Sequence, residues 1–255
     1  MAQIPYLDVQ NLTKSFGSQV LFNNISFSVS EGQKVGLVAK NGTGKSTLLS
    51  ILTDKEGKDS GSIVYKNDIK IGYLEQSPKF NNAESVLEAC FNHDNSEERV
   101  IKYKQILTQL KIKNFDQLMG QLSGGQQKRV ALANVLITEP NFIIMDEPTN
   151  HLDLEMIEWL EGYLNRGNKT LLMVTHDRFF LDRVCNTILE LDDQQIYTYR
   201  GNYSYYLEKR QERIDNARSE IARANNLYRT ELEWMRRMPQ ARGHKAKYRE
   251  DAFED

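Results

Sequence analysis

The chain has 255 residues, 33 Lys+Arg against 35 Asp+Glu, 40% hydrophobic residues and two cysteines. That length suits one large domain, or a domain with an appendage, and the apolar fraction excludes a disordered chain. No apolar run nears the roughly 20 residues that span a bilayer, the first five residues lack signal-peptide character, and Cys90 and Cys185 form no CxxC pair. The expectation is a cytoplasmic protein with no membrane segment.

In chain order, the first 30 residues alternate (Leu7, Val9; Ile25, Phe27, Val29), which predicts half-buried antiparallel strands. Val35–Val38 then runs into a glycine-rich turn and an apolar helix from Thr47 to Leu52. Short strands follow at Ile63–Tyr65 and Ile69–Tyr73, and residues 84–118 read as mostly helical. After Gly124-Gly125 a helix runs from about Gln126 to Ile137 and stops before Pro140. Phe142–Met145 and Leu171–Val174 are continuous apolar runs, the pattern of parallel strands buried on both faces. Ile188–Leu191 and Ile196–Tyr199 flank a polar turn and predict an antiparallel edge. Strands alternating with helices make an α/β domain over residues 1–203.

Residues 204–255 differ in kind. Leu207, Ile214, Ile221, Tyr228 and Met235 recur every seven residues, which predicts one strand of a coiled coil whose partner helix is expected after residue 255. Residues 209–249 hold 12 basic and 5 acidic groups. Arg236, Arg237, Arg242, Lys245, Lys247 and Arg249 follow one another without an acid between them. Such a tail on an acidic body suits a polyanion.

The strongest chemical signal is the loop from Ala39 and Lys40 through Asn41-Gly42-Thr43-Gly44-Lys45-Ser46-Thr47, set between a strand and a helix. Glycines let backbone N–H groups converge on phosphate oxygens, and the helix N-terminus adds partial positive charge. Lys45 can reach the terminal phosphates of a nucleotide, and the Ser46 hydroxyl suits Mg²⁺. Ala39 stands where this pattern ordinarily has glycine, so the backbone there is either ordinary or strained. Asp146 and Glu147 close the Phe142–Met145 strand. An acid there faces the ligand crevice, so Asp146 suits the metal shell and Glu147 the attacking water. Ser123-Gly124-Gly125-Gln126 is a second glycine-rich turn opening a helix, and one nucleotide does not need two cradles.

Together these segments resemble the ABC ATPases, whose signature sequence acts on the nucleotide of the opposing cassette. The fold implied is the ABC-type P-loop cassette, a mostly parallel sheet with an antiparallel β subdomain and a helical subdomain over about residues 77–138. The resemblance implies that Gln76 contacts Mg²⁺, that His176 contacts the γ-phosphate, and that adenine stacks on Phe16. It also implies that Asn150-His151-Leu152-Asp153 signals between sites. Glu147–Asp153 and Thr175–Asp182 resemble the ABC-F proteins, which have two cassettes in one chain and no membrane domain. Glu233–Lys247 is nearest to the Uup-like branch.

On that resemblance the chain is the first cassette and the start of the inter-cassette linker. Its cofactors are ATP and Mg²⁺, and its activity is ATP hydrolysis completed by a second cassette, in the same full-length chain or in a second copy. The linker would act on the ribosome, through rRNA or tRNA, with DNA as another polyanion. Two other readings share the same motifs: the ATPase subunit of a membrane transporter, and a DNA-binding module using its nucleotide site only as a sensor.

Overall fold

The computed structural model describes residues 5–90 and 97–236, which fall in two compact units, Met1–Tyr206 and Leu207–Asp255. In the first unit, β1 (Pro5–Phe16) pairs antiparallel with β2 (Gln19–Ser30) and with β4 (Ser60–Tyr65), forming a three-stranded sheet. Its alternating side chains turn Leu7, Val9, Leu12, Phe22, Ile25 and Val29 inward.

The second sheet has six strands in the order β5 (Ile71–Leu74), β6 (Phe142–Asp146), β7 (Thr170–Val174), β3 (Lys34–Ala39), β8 (Thr187–Asp192) and β9 (Gln195–Arg200). The first five run parallel and β9 is antiparallel to β8. The continuous apolar runs follow from burial on both faces. Along β6, Phe142 and Ile144 join the core shared with the three-stranded sheet, while Ile143 and Met145 join the core under the helices. The same alternation splits Leu172 and Val174 from Leu171 and Met173 on β7.

Helix α1 (Lys45–Leu52) packs into the first core through Leu48 and Leu49. Helices α2 (Val86–Cys90), α3 (Glu97–Gln109), α4 (Gly124–Ile137), α5 (Leu154–Asn165) and α6 (Arg178–Val184) serve the other. Both α1 and α4 start two residues earlier than their apolar patterns suggest. The glycines and polar residues of their first turns are already helical, leaving backbone N–H groups at the ends. Cys90 and Cys185 are buried free thiols whose pKa burial pushes up, that of Cys90 to about 12, so neither is a nucleophile at neutral pH.

Helix α7 (Tyr203–Arg236) has 34 residues, about 51 Å at 1.5 Å per residue. Its first turn is anchored to the cassette. Asn202 accepts from the Tyr205 N–H (3.1 Å) and Asp182 from the Ser204 N–H (2.7 Å). The buried Glu190 of β8 accepts from the Tyr206 and Tyr199 hydroxyls (3.2 and 3.0 Å). Farther along, Leu207, Ile221 and Tyr228 of the seven-residue stripe are exposed.

Helix α6 presses closely on the sheet. A Cβ at Gly36, in mid-β3, would lie 2.6 Å from Leu181 Cδ2 and 3.1 Å from Cys185 Sγ. Gly36→Ala is therefore expected to lose about 1–3 kcal/mol by overpacking, read as a lowered midpoint in urea unfolding with an unchanged slope.

Candidate nucleotide-binding site

The site is built where parallel strands end together. β6 pairs with β7 as far as Asp146 opposite Val174, and β7 pairs with β3 at Val174 opposite Leu37. Residues immediately past these pairs converge on one edge of the sheet, the usual position of ligands in open α/β sheets. A cavity of about 360 Å³ lies there. Its lining brings together Phe16, Asn41, Gly42, Gly44, Lys45, Ser46, Thr47, Gln76, Asp146, Glu147 and His176, from five separate parts of the sequence.

Local chemistry explains the loop. Ala39 is the last residue of β3, paired with Leu191, and has no positive φ, so its backbone is ordinary strand and needs no glycine. The left-handed turns fall instead on Gly42 (φ 81°) and Gly44 (φ 99°). Gly44 precedes α1 with no side-chain cap, and the first turn of α1 carries no acid. Its N–H groups are thus open to an anion. Thr43 Oγ1 donates to the Lys40 carbonyl (2.8 Å), and Lys45 Nζ donates to the carbonyls of Ala39 (3.0 Å) and Lys40 (3.1 Å). Ala39, Lys40 and Thr43 shape the loop from outside the cavity lining. Burial lowers the Lys45 pKa, opposed by Glu147 and Asp146.

The acids behave differently from each other. Asp146 is 3% exposed, and its Oδ1 is buried without a hydrogen-bond partner. Burial raises its pKa, while the Ser46 hydroxyl, Lys128 and Lys45 pull the other way. A buried, unpaired carboxylate oxygen beside a hydroxyl, in a cavity that Gln76 also lines, suits a hard cation. Mg²⁺ is held through one or two carboxylates plus substrate phosphates, so this donor set fits it. Glu147 is buried too, with a left-handed φ of 50°. Its N–H donates to the Val174 carbonyl (2.8 Å), and its Oε2 accepts from the His176 N–H (3.2 Å). The His176 Nε2 lies 3.5 Å from Glu147 Oε1, on a ring that is 63% exposed. A strained φ on a residue held by two strand ends is the kind of outlier found at functional sites.

Phe16 is 51% exposed, with the Lys14 ammonium 4.7 Å from its ring centroid, so it is not a core residue. Ser123, Gly124, Gly125 and Gln126 are not part of this cavity. Ser123 and Gln126 cap α4 reciprocally, Ser123 N–H to Gln126 Oε1 (2.9 Å) and Gln126 N–H to Ser123 Oγ (3.3 Å). The motif Asn150–Asp153 runs past them, since a Cβ on Gly125 would lie 3.0 Å from the His151 carbonyl. Of the basic tail, only the backbone of Arg236 falls within the described residues. Arg237, Arg242, Lys245, Lys247 and Arg249 lie outside them.

Sequence reasoning missed two features. Thr149 and Thr175 share a buried hydrogen bond (3.0 Å) that ties the segments after β6 and β7 together. Lys128 of α4 is 2% exposed and donates to three main-chain carbonyls beside the cavity. Its signal was present: Lys128 stands in line with the buried Leu132 and Val135, where a helix stripe should be apolar.

The ABC transporter family profile matches residues 22–150, half of the chain, and a second ABC transporter profile matches residues 189–255. The chain belongs to the ABC transporter family, as an ATP-binding cassette. ATP and Mg²⁺ are the ligands of such a cassette, and the residues lining the cavity suit both. The chain is 36% identical to the ABC transporter ATP-binding protein YfmR of Bacillus subtilis, over 97% of its own length and 46% of that relative. It is 33% identical to the energy-dependent translational throttle protein EttA of Escherichia coli, over 92% of its length and 50% of EttA. The chain thus spans about half the length of these relatives. Among solved structures, a dimeric ATP-binding cassette in a post-hydrolysis state with ADP and Pi superimposes at TM-score 0.65 and 25% identity, covering 76% of this chain and 98% of that one. An ATP-binding subunit of an ABC transporter reaches TM-score 0.70 at 21% identity, over 76% and 90%.

The buried Asp146 carboxylate has a consequence in the nucleotide-free protein. Because burial raises its pKa, the folded chain keeps the proton to higher pH than the unfolded chain does. Stability therefore falls as pH rises from the ordinary value of 3.8 through the raised one. Asp146→Asn is expected to flatten that part of the stability–pH curve, raise the melting temperature at neutral pH, and remove the Mg²⁺-dependent part of ATP affinity. Thermal scans from pH 3 to 8 and calorimetric titration check both outcomes.

Proposed function

We propose that this chain is the ATP-hydrolysing first half of an ABC-F-type protein, whose closure on nucleotide moves the basic linker against the ribosome. The observation carrying this reading is a division of the site. Lys45, Ser46, Gln76, Asp146, Glu147 and His176 meet at one cavity, whereas Ser123–Gln126 open a different helix and are absent from its lining. A second cassette, in the same full-length chain or a second copy, would supply the missing signature.

In that sandwich the open N–H groups of the Gly42–Ser46 turn and the Lys45 ammonium bind the β- and γ-phosphates, and Phe16 stacks on adenine. Ser46, Asp146 and Gln76 would hold Mg²⁺, which supplies charge neutralisation on the phosphate oxygens. Glu147, fixed by Val174 and the His176 N–H, orients and deprotonates the attacking water. His176, beside Glu147, would contact the γ-phosphate. Ser123, Gly124 and Gly125 of the facing cassette close over the same nucleotide.

The translational direction rests on the relative named as a translational throttle, on the ABC-F-like Glu147–Asp153 and Thr175–Asp182 segments, and on α7. Glu190, Asp182 and Asn202 grip the first turn of that helix, where it leaves the cassette. The exposed Leu207, Ile221 and Tyr228 of its seven-residue stripe suit a second linker helix. The basic residues from Arg236 to Arg249 suit phosphates of rRNA or tRNA, with Uup-like relationship as the finer assignment and DNA as the competing polyanion.

Two experiments test this. Specific ATPase activity is expected to rise with protein concentration, and Glu147→Gln to cut turnover by about 100-fold or more while an ATP-bound dimer accumulates. Turnover per chain that persists undiminished at high dilution overturns the shared site. Crosslinking of full-length Glu147→Gln protein in cells, followed by sequencing, is expected to recover rRNA or tRNA. Recovery of DNA alone, or of membrane proteins, rules out the translational role.

A further inference from the structure

Lys128 lies one turn into α4, the helix opened by Ser123-Gly124-Gly125, and is buried. An ammonium has three N–H donors and no acceptor. All three find main-chain carbonyls: those of Glu75, of Gln76 at 3.0 Å and of Asp146 at 3.1 Å. These carbonyls belong to the ends of two neighbouring parallel strands, just past β5 and at the last residue of β6. Strand-end carbonyls have no further ladder partner and need one when buried. Both Gln76 and Asp146 line the nucleotide cavity.

The next residue holds the other side of the helix. Arg129 Nη1 donates to the Leu110 carbonyl (3.2 Å), in the segment after α3. α4 is therefore bonded at consecutive residues to the helical layer and to the strands that carry the acids. A purely structural filler at this depth would be apolar, because burying an ammonium is costly unless it is fully bonded and faced by opposite charge. Lys128 meets both conditions, with the carboxylates of Asp146, Glu147 and Glu75 around it.

We propose that Lys128 is a positioning residue that couples the signature helix of a cassette to that same cassette's cation site. It fixes the main chain of Gln76 and Asp146 so that their side chains meet the cation together. Displacement of α4, when its Ser123–Gly125 end engages the facing nucleotide, then reaches Gln76 and Asp146 through one side chain. The coupling rests on the nucleotide site and the two-cassette closure described above, but it makes a separate demand, on the metal dependence of binding.

The test is ATP titration by calorimetry, with Mg²⁺ and with EDTA, on the full 255-residue chain and its Lys128→Met and Lys128→Arg variants, beside thermal melts. In Lys128→Met, affinity in EDTA is expected to stay within about twofold, because the three hydrogen bonds of Lys128 go to Glu75, Gln76 and Asp146 and not to the Ala39–Thr47 loop. The gain in affinity on adding Mg²⁺ is expected to shrink at least tenfold, and Lys128→Arg to restore part of it. An unchanged Mg²⁺ gain in folded Lys128→Met overturns the coupling. Equal losses with and without Mg²⁺ also overturn it, since they mark general damage. If Lys128→Met does not fold, Lys128→Gln, which keeps two donors without charge, is measured against the same criteria. A wild-type chain that binds no ATP under either condition refutes the nucleotide site itself, a result distinct from loss of the coupling alone.

Discussion

The cassette depends on the in-register pairing of three parallel strands, β6, β7 and β3, buried on both faces. Parallel strands share a direction, so their carboxyl ends finish at one edge, and each delivers its next residues to the same place. Val174 is the common point: it pairs with Asp146 on one side and Leu37 on the other, and its carbonyl receives the Glu147 N–H. A one-residue slip in any pair would reverse the faces of every side chain on that strand. It would bury the wrong half of Phe142–Met145 and also displace Asp146 and Glu147. The hydrophobic core and the chemical site are thus specified by the same register.

Charge is the cost of this arrangement. The strand ends bring Asp146, Glu147, Lys45 and Lys128 close together. Burial works against the ionised form of Asp146, Lys45 and Lys128, and their mutual attraction works for it. The balance is incomplete at Asp146 Oδ1, which lacks a partner. A divalent cation and a polyphosphate supply complementary charges, so ligand binding completes an electrostatic set that the fold leaves open.

Much of this was legible in the chain itself, for local reasons. Glycine-rich turns that cradle phosphate need particular residues in a fixed order, so Asn41–Thr47 announces itself. The apolar runs of β6 and β7 imply burial on both faces, and an acid ending such a run implies a crevice. Lys128 and the Thr149–Thr175 bond were harder to see, because a lysine and two threonines in sequence are ordinary residues. Only the packing of α4 against the ends of β5 and β6 gives Lys128 its three carbonyls. The doubt over Ala39 was equally a tertiary matter: pairing with Leu191 extends β3 through that residue and moves the left-handed turn to Gly42 and Gly44.

The sequence by itself determined the strands, the helices that follow the two glycine-rich turns, the two-faced burial of the central strands, the phosphate-binding turn and the family to which they point, since each follows from periodicity or from residue chemistry within a few positions. Helices α5 and α6 were not read from it. Only the tertiary structure decided the strand order β5-β6-β7-β3-β8-β9, the separation of Ser123–Gln126 from the cavity that gathers the other motifs, and the clamp formed by Lys128. The physical reason is range. A turn or a strand is favoured by interactions between near neighbours, whereas a shared cavity depends on which distant segments lie side by side, and that is fixed by packing and register across the whole sheet.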